Sequence, residues 1–266
     1  MNTTQSYDTI IVGGGQAGLA TGYYLKQQGR DIVILDGHER IGTSWRNRWD
    51  SLQLFTPARF NGLPGMPFPA PAHHTPTKDE MADYLEAYAA HFELPVRTGI
   101  WIEELSKQGD QFVLIASRSS TGSERAHSTH SGPALRFTAD NVVVATGFYH
   151  SPKIPAFSSE IAPDIVQFHS SAYRRPSQVQ KGPVLVVGAA NSGAEIALEL
   201  AQNHQVWLSG RHPGNEPTRP GSVLDHVIVP LMWFIFSYVL NVKTPIGRKL
   251  RPKFLNLGGV PLARVR

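Results

Sequence analysis

The chain has 266 residues, 41% hydrophobic and 17% charged, enough apolar material for one large or two small globular domains with real cores. It contains no cysteine, which excludes disulfides, thiolate metal sites and a dithiol pair that would pass electrons to a disulfide substrate. The net charge of +4 is uneven: of 25 basic and 21 acidic residues, the last 24 positions hold Lys243, Arg248, Lys249, Arg251, Lys253, Arg264 and Arg266 and no acid, so the remainder is mildly acidic and offers no basic field for nucleic acid.

The first residues, MNTTQSYD, lack the charged-then-apolar pattern of a secretion signal, and a cytoplasmic location is expected. An apolar run, Thr9 to Val12, predicts a buried parallel strand. It enters GGGQAG at 13–18, a G-x-G-x-x-G turn, and a helix is predicted from Gln16 to about Gln28. A second strand over 31–35 ends in Asp36. In such a βαβ unit Gly13 permits the tight turn, Gly15 lets backbone approach a pyrophosphate, and Gly18 lets helix and strand pack closely. Gln16 and Ala17 open the helix, whose N–H groups and partial positive charge face the phosphates. Asp36 stands where a carboxylate would bind a ribose hydroxyl.

The next stretch, 37–57, is predicted to be a loop over a ligand rather than a helix. Trp45, Arg46 and Trp49 either cover an aromatic ring system or pack the loop itself. Residues 61–76, rich in Pro and Gly, predict an irregular surface crossing. Thr77 and Glu80 form a capping box for the following helix, with Tyr84, Leu85, Tyr88 and Phe92 on its core face. Strands are predicted at 112–116, 135–138 and 141–145, the last a buried NVVVA run leading to Thr146 and Gly147, a small-residue turn of the kind that meets ligands at a strand's carboxyl end. The polar segment between the first two is predicted to be a hairpin loop. It carries His127 and His130, which have no supporting ligands at metal spacing, and no metal is expected. Residues 151–183 are Pro-rich and predict a linker between lobes.

A second βαβ unit begins at Pro183, with Gly188, Ala190 and Gly193 on the three glycine positions and Asn191 and Ser192 opening its helix. Its second strand ends in Ser209, Gly210 and Arg211 instead of an acid. A carboxylate there would repel a 2′-phosphate and an arginine attracts one, so the first cradle favours a nucleotide with free ribose hydroxyls, such as FAD, and the second NADPH. The other reading of Arg211 is a solvated surface side chain. From Val227 the run VIVPLMWFIFSYVLNV is too short to span a bilayer and is interrupted by Pro230. With the basic tail behind it, 227–240 reads either as a helix on a membrane surface or as a helix that is buried in the second lobe or covered by missing sequence, with the second slightly preferred.

Several pieces resemble the flavin-containing monooxygenase family, in particular its small bacterial and YUCCA-type members: GGGQAG at 13–18, IGTSWRNRWDSLQLFTP at 41–57, VVVATG at 142–147, HSSAYRRP at 169–176 and VVGAANSGAEIA at 186–197. The resemblance implies an α/β fold of two Rossmann-like lobes with parallel sheets and ββα layering. It implies FAD on Gly13, Gly15, Gly18 and Asp36, with Trp45 and Arg46 near the flavin and Thr146 at its edge. It implies NADPH on Gly188, Asn191, Ser192, Gly193 and Arg211. His169 and Tyr173 match the second half of the family's interlobe fingerprint; Pro163 and Ile165 depart from its first half. Ala190 departs from the middle glycine of the second cradle.

The expected division is an FAD lobe at 1–150, a linker at 151–182, an NADPH lobe at 183–242 and a basic tail at 243–266 that begins a return to the FAD lobe; relative to the family, the rest of that return is expected to be missing. The implied activity is NADPH-driven insertion of one oxygen atom of O2 into a small organic substrate through a peroxyflavin. The rival readings are an NADPH oxidase or reductase that makes peroxide, and a shortened nucleotide-binding protein without turnover. No catalytic acid or base is assigned, because the cofactor carries the chemistry.

Overall fold

The computed structural model describes residues 4–118, 134–147, 151–211 and 227–255, the last without 229, 232, 233 and 242. His127 and His130 lie outside the described residues. The chain divides into two compact units, Met1–Arg174 and Arg175–Arg266. The division falls inside the stretch expected to be a linker. Tyr173, close to it, is only 1% exposed, and the Asp50 amide donates to the Arg174 carbonyl at 2.8 Å.

The first unit begins with strand β1 (Gln5–Val12), helix α1 (Gln16–Gln27) and strand β2 (Ile32–Leu35), followed by α2 (Thr43–Arg46) and α3 (Lys78–His91). Strands β3 (Val96–Arg97), β4 (Ile100–Gln108), β5 (Gln111–Arg118) and β6 (Leu135–Val144) complete one sheet in the order β3-β2-β1-β6-β5-β4. The first four strands in that order are parallel; β5 and β4 extend them as an antiparallel meander.

The sheet folds over its own face. Ile10, Val33 and Leu35 share one buried cluster with Ile100, Leu114, Ala116, Phe137 and Ala139, although three strands stand between β2 and β4 in the order. Alternation along the strands turns Ile11 and Ile34 to the opposite face. There α1 packs closely: a Cβ on Gly22 would lie 2.6 Å from Cδ1 of Ile34. Meander, parallel strands and helix therefore form β, β and α layers.

Four local expectations change. The stretch 37–57 is not wholly loop, because Thr43–Arg46 makes one helical turn, entered through Gly42 at φ 81°. Strands β3 and β4 were not expected. The runs at 135–138 and 141–145 fall in one continuous strand, Leu135–Val144, which pairs with β5 over Leu135–Ala139 and with β1 from Phe137 onward. Its NVVV end is not buried, and Val144 is 64% exposed. The α3 capping box is present, with Glu80 N–H donating to the Thr77 hydroxyl and Thr77 N–H to the Glu80 carboxylate.

The second unit holds β7 (Val184–Val187), α4 (Asn191–Leu200) and β8 (Val206–Ser209), a parallel βαβ unit, and later α5 (Pro245–Leu255). Helix α4 buries Ala194, Ile196, Ala197 and Leu200, whereas Leu185, Val187, Trp207 and Leu208 on the two strands are 40% to 59% exposed. Parallel strands are ordinarily covered on both faces, and here one layer is in place.

Candidate functional site

The carboxyl ends of β1, β2 and β6 meet where the strand order turns to opposite sides of β1, the position at which open α/β sheets form a crevice. Gly13 leaves β1 at φ 109°, and its amide donates to the Leu35 carbonyl at 2.8 Å. A Cβ there would lie 2.5 Å from the Ala145 carbonyl oxygen, so the end of β6, with the exposed Thr146, rests against this turn. A Cβ at Gly18 would lie 1.9 Å from the Gly13 carbonyl oxygen, which makes glycine obligatory for the helix to start so close to the turn. At Gly15 a Cβ would meet nothing within 4 Å. The protein fills none of that space, which leaves room for backbone to approach a ligand. Gly15 is the N-cap of α1, without a side-chain cap and without an acid in the first turn. Gln16 and Ala17, which follow it, are exposed. The helix end presents uncapped N–H donors and positive potential, suited to a diphosphate.

Asp36 is fixed beside these donors. Its Oδ2 accepts from the Gly14 amide at 2.6 Å and its Oδ1 from the His38 amide at 2.8 Å, with His38 Nδ1 at 3.0 Å from Oδ1. Burial alone would raise the carboxyl pKa; hydrogen bonds from the His38 ring, the His38 amide and the Gly14 amide outweigh it and hold Asp36 below the ordinary carboxylate range. The group is therefore an ionised acceptor with its orientation set. Sequence reasoning missed His38, although the Asp-x-His spacing, which lets an aspartate accept from the amide two residues on, was a readable signal.

Trp45 and Arg46 lie in α2, whose described contacts run to α3. Arg46 donates to Asp83 Oδ1 at 2.8 Å and Glu86 Oε2 at 2.9 Å, and Arg40 also binds Glu86. The buried Nε of Arg46 has no hydrogen-bond partner among the described residues. Trp49 is 6% exposed, so of its two readings the packing one holds. His169 Nδ1 lies 2.9 Å from the Ser171 hydroxyl, and Tyr173 stacks on Phe168 with ring planes 6° apart.

In the second unit the turn is built in the same way. Gly188 has φ 105° and its amide donates to the Ser209 carbonyl at 2.7 Å. A Cβ at Gly193 would lie 1.8 Å from the Gly188 carbonyl oxygen. Ala190 is the N-cap of α4, exposed and without a side-chain cap, and Asn191 and Ser192 begin the helix. Gly210, at φ 153°, brings the end of β8 against the turn: a Cβ on it would lie 2.6 Å from the Ala189 nitrogen. The exposed Arg211 follows directly. Each unit thus brings its predicted glycines together with its terminal charged residue, a carboxylate in one and a guanidinium in the other. Among the described residues no group of three or more His, Asp or Glu is placed to hold a metal ion.

Residues 10–233 match the family model described as pyridine nucleotide-disulphide oxidoreductase. An uncharacterized CzcO-like oxidoreductase of Geobacillus kaustophilus is 45% identical over 205 residues, covering 77% of this chain and 54% of the relative. The probable indole-3-pyruvate monooxygenase YUCCA9 of Arabidopsis thaliana is 32% identical over 201 residues, covering 74% and 45%. The chain thus spans about half the length of the curated relatives it matches. Among solved structures, a flavin-containing monooxygenase from Stenotrophomonas maltophilia aligns with a TM-score of 0.70 and 28% identity, over 98% of this chain and 72% of that one.

Proposed function

The chain belongs to the pyridine nucleotide-disulphide oxidoreductase family, and from that membership we propose an NADPH-driven, FAD-dependent oxidoreductase of the monooxygenase type acting on a small organic substrate and O2. The single observation carrying this reading is the pair of glycine turns closed by charges of opposite sign, Asp36 and Arg211. The family name covers enzymes that reduce disulfides, but this chain has no cysteine to form a redox-active pair. The monooxygenase-like relatives favour oxygen transfer instead.

In this reading the first turn takes the FAD diphosphate on the α1 N-terminus, with Asp36 accepting from ribose hydroxyls through the fixed carboxylate held by Gly14 and His38. Gly15 supplies the space for close approach. Trp45 and Arg46, the latter held by Asp83 and Glu86, stand near the flavin. The second turn takes the NADPH diphosphate on α4, and Arg211 pairs with the 2′-phosphate. When bound, the two cofactors supply hydride transfer to flavin and delivery of one atom of O2 to the substrate. The protein's residues bind, orient and select.

The test is spectroscopic and kinetic. Purified protein incubated with FAD should show flavin absorbance and oxidise NADPH faster than NADH. Arg211→Gln should reduce the NADPH-over-NADH ratio of kcat/KM by about tenfold, because a charged contact to phosphate is lost. Absence of flavin absorbance would remove the reading altogether. A second reading, an NADPH oxidase that releases peroxide, uses the same two turns. Peroxide released per NADPH, with and without amine or sulfide substrates, decides between them.

A further inference from the structure

The residues from Val227 to Val239 are helical wherever described, the last turn, Ile235–Val239, being a wide one. Val227, Leu231, Phe234 and Tyr238 are spaced four, three and four apart, which sets them on one helical face, and they are 54% to 67% exposed. Such a row on a helix is normally covered. It ends at a corner held by its own hydrogen bonds: Asn241 Nδ2 donates to the Ser237 carbonyl at 2.5 Å, and the Thr244 hydroxyl to the Asn241 carbonyl at 3.1 Å. Helix α5 starts against that corner, because a Cβ on Gly247 would lie 2.0 Å from the Asn241 carbonyl oxygen. The apolar row and α5 are therefore presented together.

The charge of this corner is one-sided. Helix α5 carries Arg248, Lys249, Arg251 and Lys253 and no acid, with Arg248 and Lys249 exposed, and no acid occurs anywhere from Lys243 to the last residue. The acids lie elsewhere in the chain. Among the described residues no helix is long and apolar enough to cross a membrane. We propose that this corner docks on the surface of an anionic lipid bilayer, with Leu231, Phe234 and Tyr238 entering the boundary between headgroups and acyl chains and Arg248 and Lys249 of α5 paired with anionic headgroups. An apolar face alone would fit another protein equally well. The adjoining acid-free basic helix selects a surface of dense negative charge. The inference is independent of the redox reading, since none of these residues belongs to either nucleotide turn.

The experiment uses the full 266-residue chain and vesicles of phosphatidylcholine, with and without about a third phosphatidylglycerol, a content typical of the anionic surfaces to which basic clusters respond. In flotation at low salt, partitioning should be at least about tenfold stronger on the anionic vesicles and should weaken at high salt. L231S/F234S and R248E/K249E should each lower partitioning by about tenfold or more on the anionic vesicles, with unchanged far-ultraviolet circular dichroism and melting temperature. Because the mutated side chains are exposed, folding should survive. Should either double variant misfold, the unmutated chain still decides the matter: brominated acyl chains in anionic vesicles should quench its tryptophan fluorescence. Equal partitioning on both vesicle types overturns the proposal. So does an absence of binding, or a lipid-free dimer that L231S/F234S converts to monomer, which would assign the face to a second copy of the chain.

Discussion

Gly15 has a missing side chain that the fold does not require, and in this it differs from Gly13 and Gly18. Its conformation, φ −83° and ψ −171°, suits any residue, and its Cβ position is open. Gly15→Ala should therefore leave the urea midpoint unchanged within about 0.5 kcal/mol while weakening FAD binding by about tenfold, since the added methyl enters the space a diphosphate would use. Gly18→Ala makes the complementary case: its Cβ would overlap the Gly13 carbonyl, and a loss of about 1–3 kcal/mol in stability is expected by the same denaturant titration. At Ala190 the natural chain already carries the methyl, exposed at the head of α4. Ala190→Gly should tighten NADPH several-fold, measured by fluorescence titration. Unchanged affinity would indicate that this turn holds no diphosphate.

At the scale of elements, α3 organises much of the first unit. The Tyr84 hydroxyl donates to the Met66 carbonyl at 2.8 Å and accepts from the Leu63 amide at 2.6 Å, while the Tyr88 hydroxyl donates to the Pro64 carbonyl at 2.7 Å. Two tyrosines thus pin the Pro- and Gly-rich crossing. Tyr84→Phe, which strands both backbone groups, should cost about 1–3 kcal/mol in urea unfolding. On the other side α3 receives α2. The hydrogen bond from Arg40, helped by Arg46, pulls the Glu86 carboxyl down to about 2 against the opposing effect of burial. A depressed acid stabilises the fold above its unfolded value, near 4.5, and that contribution disappears as pH falls toward 2. Between pH 5 and pH 2 the melting temperature of the unmodified chain should drop more steeply than that of Glu86→Gln.

These contacts also mark what a sequence can disclose. The Thr77–Glu80 cap and both glycine turns were readable because each closes within a few residues. Strand β4 was hidden by its mostly polar run from Glu103 to Gln108 on an open face, and β6 was split in the reading at Ala139–Asp140. Arg46 was set near a ligand by resemblance. Its observed partners stand 37 and 40 positions away, a separation that no local pattern encodes. Likewise Asp36 was legible as an acid at the end of a strand, but its hold on the Gly14 amide, 22 positions away, was not.

Across the whole molecule, the two units share a trait. In the first, Val144 is exposed at the end of β6; in the second, the open side of β7 and β8 shows Leu185, Val187 and Trp207. Native chain should accordingly bind a hydrophobic fluorescent dye without denaturant. Leu185→Lys with Val187→Thr should lower that signal while leaving the melting temperature within a few degrees, since these side chains already face water.

The near-identity of the two turns has a further consequence. Gly13 and Gly188 have φ values of 109° and 105°, and the overlap that forbids a side chain at Gly18 recurs at Gly193, at 1.9 and 1.8 Å. The two turns thus share one backbone geometry and differ at the middle position, glycine at 15 and alanine at 190, and in the charged residue beyond the neighbouring strand, to which the proposed function assigns the nucleotide preference. A chimera with the hexapeptides 13–18 and 188–193 exchanged should keep each nucleotide in its original half, with FAD held more weakly by the alanine then at position 15, whereas transposing the acid and the arginine should reverse the preferences.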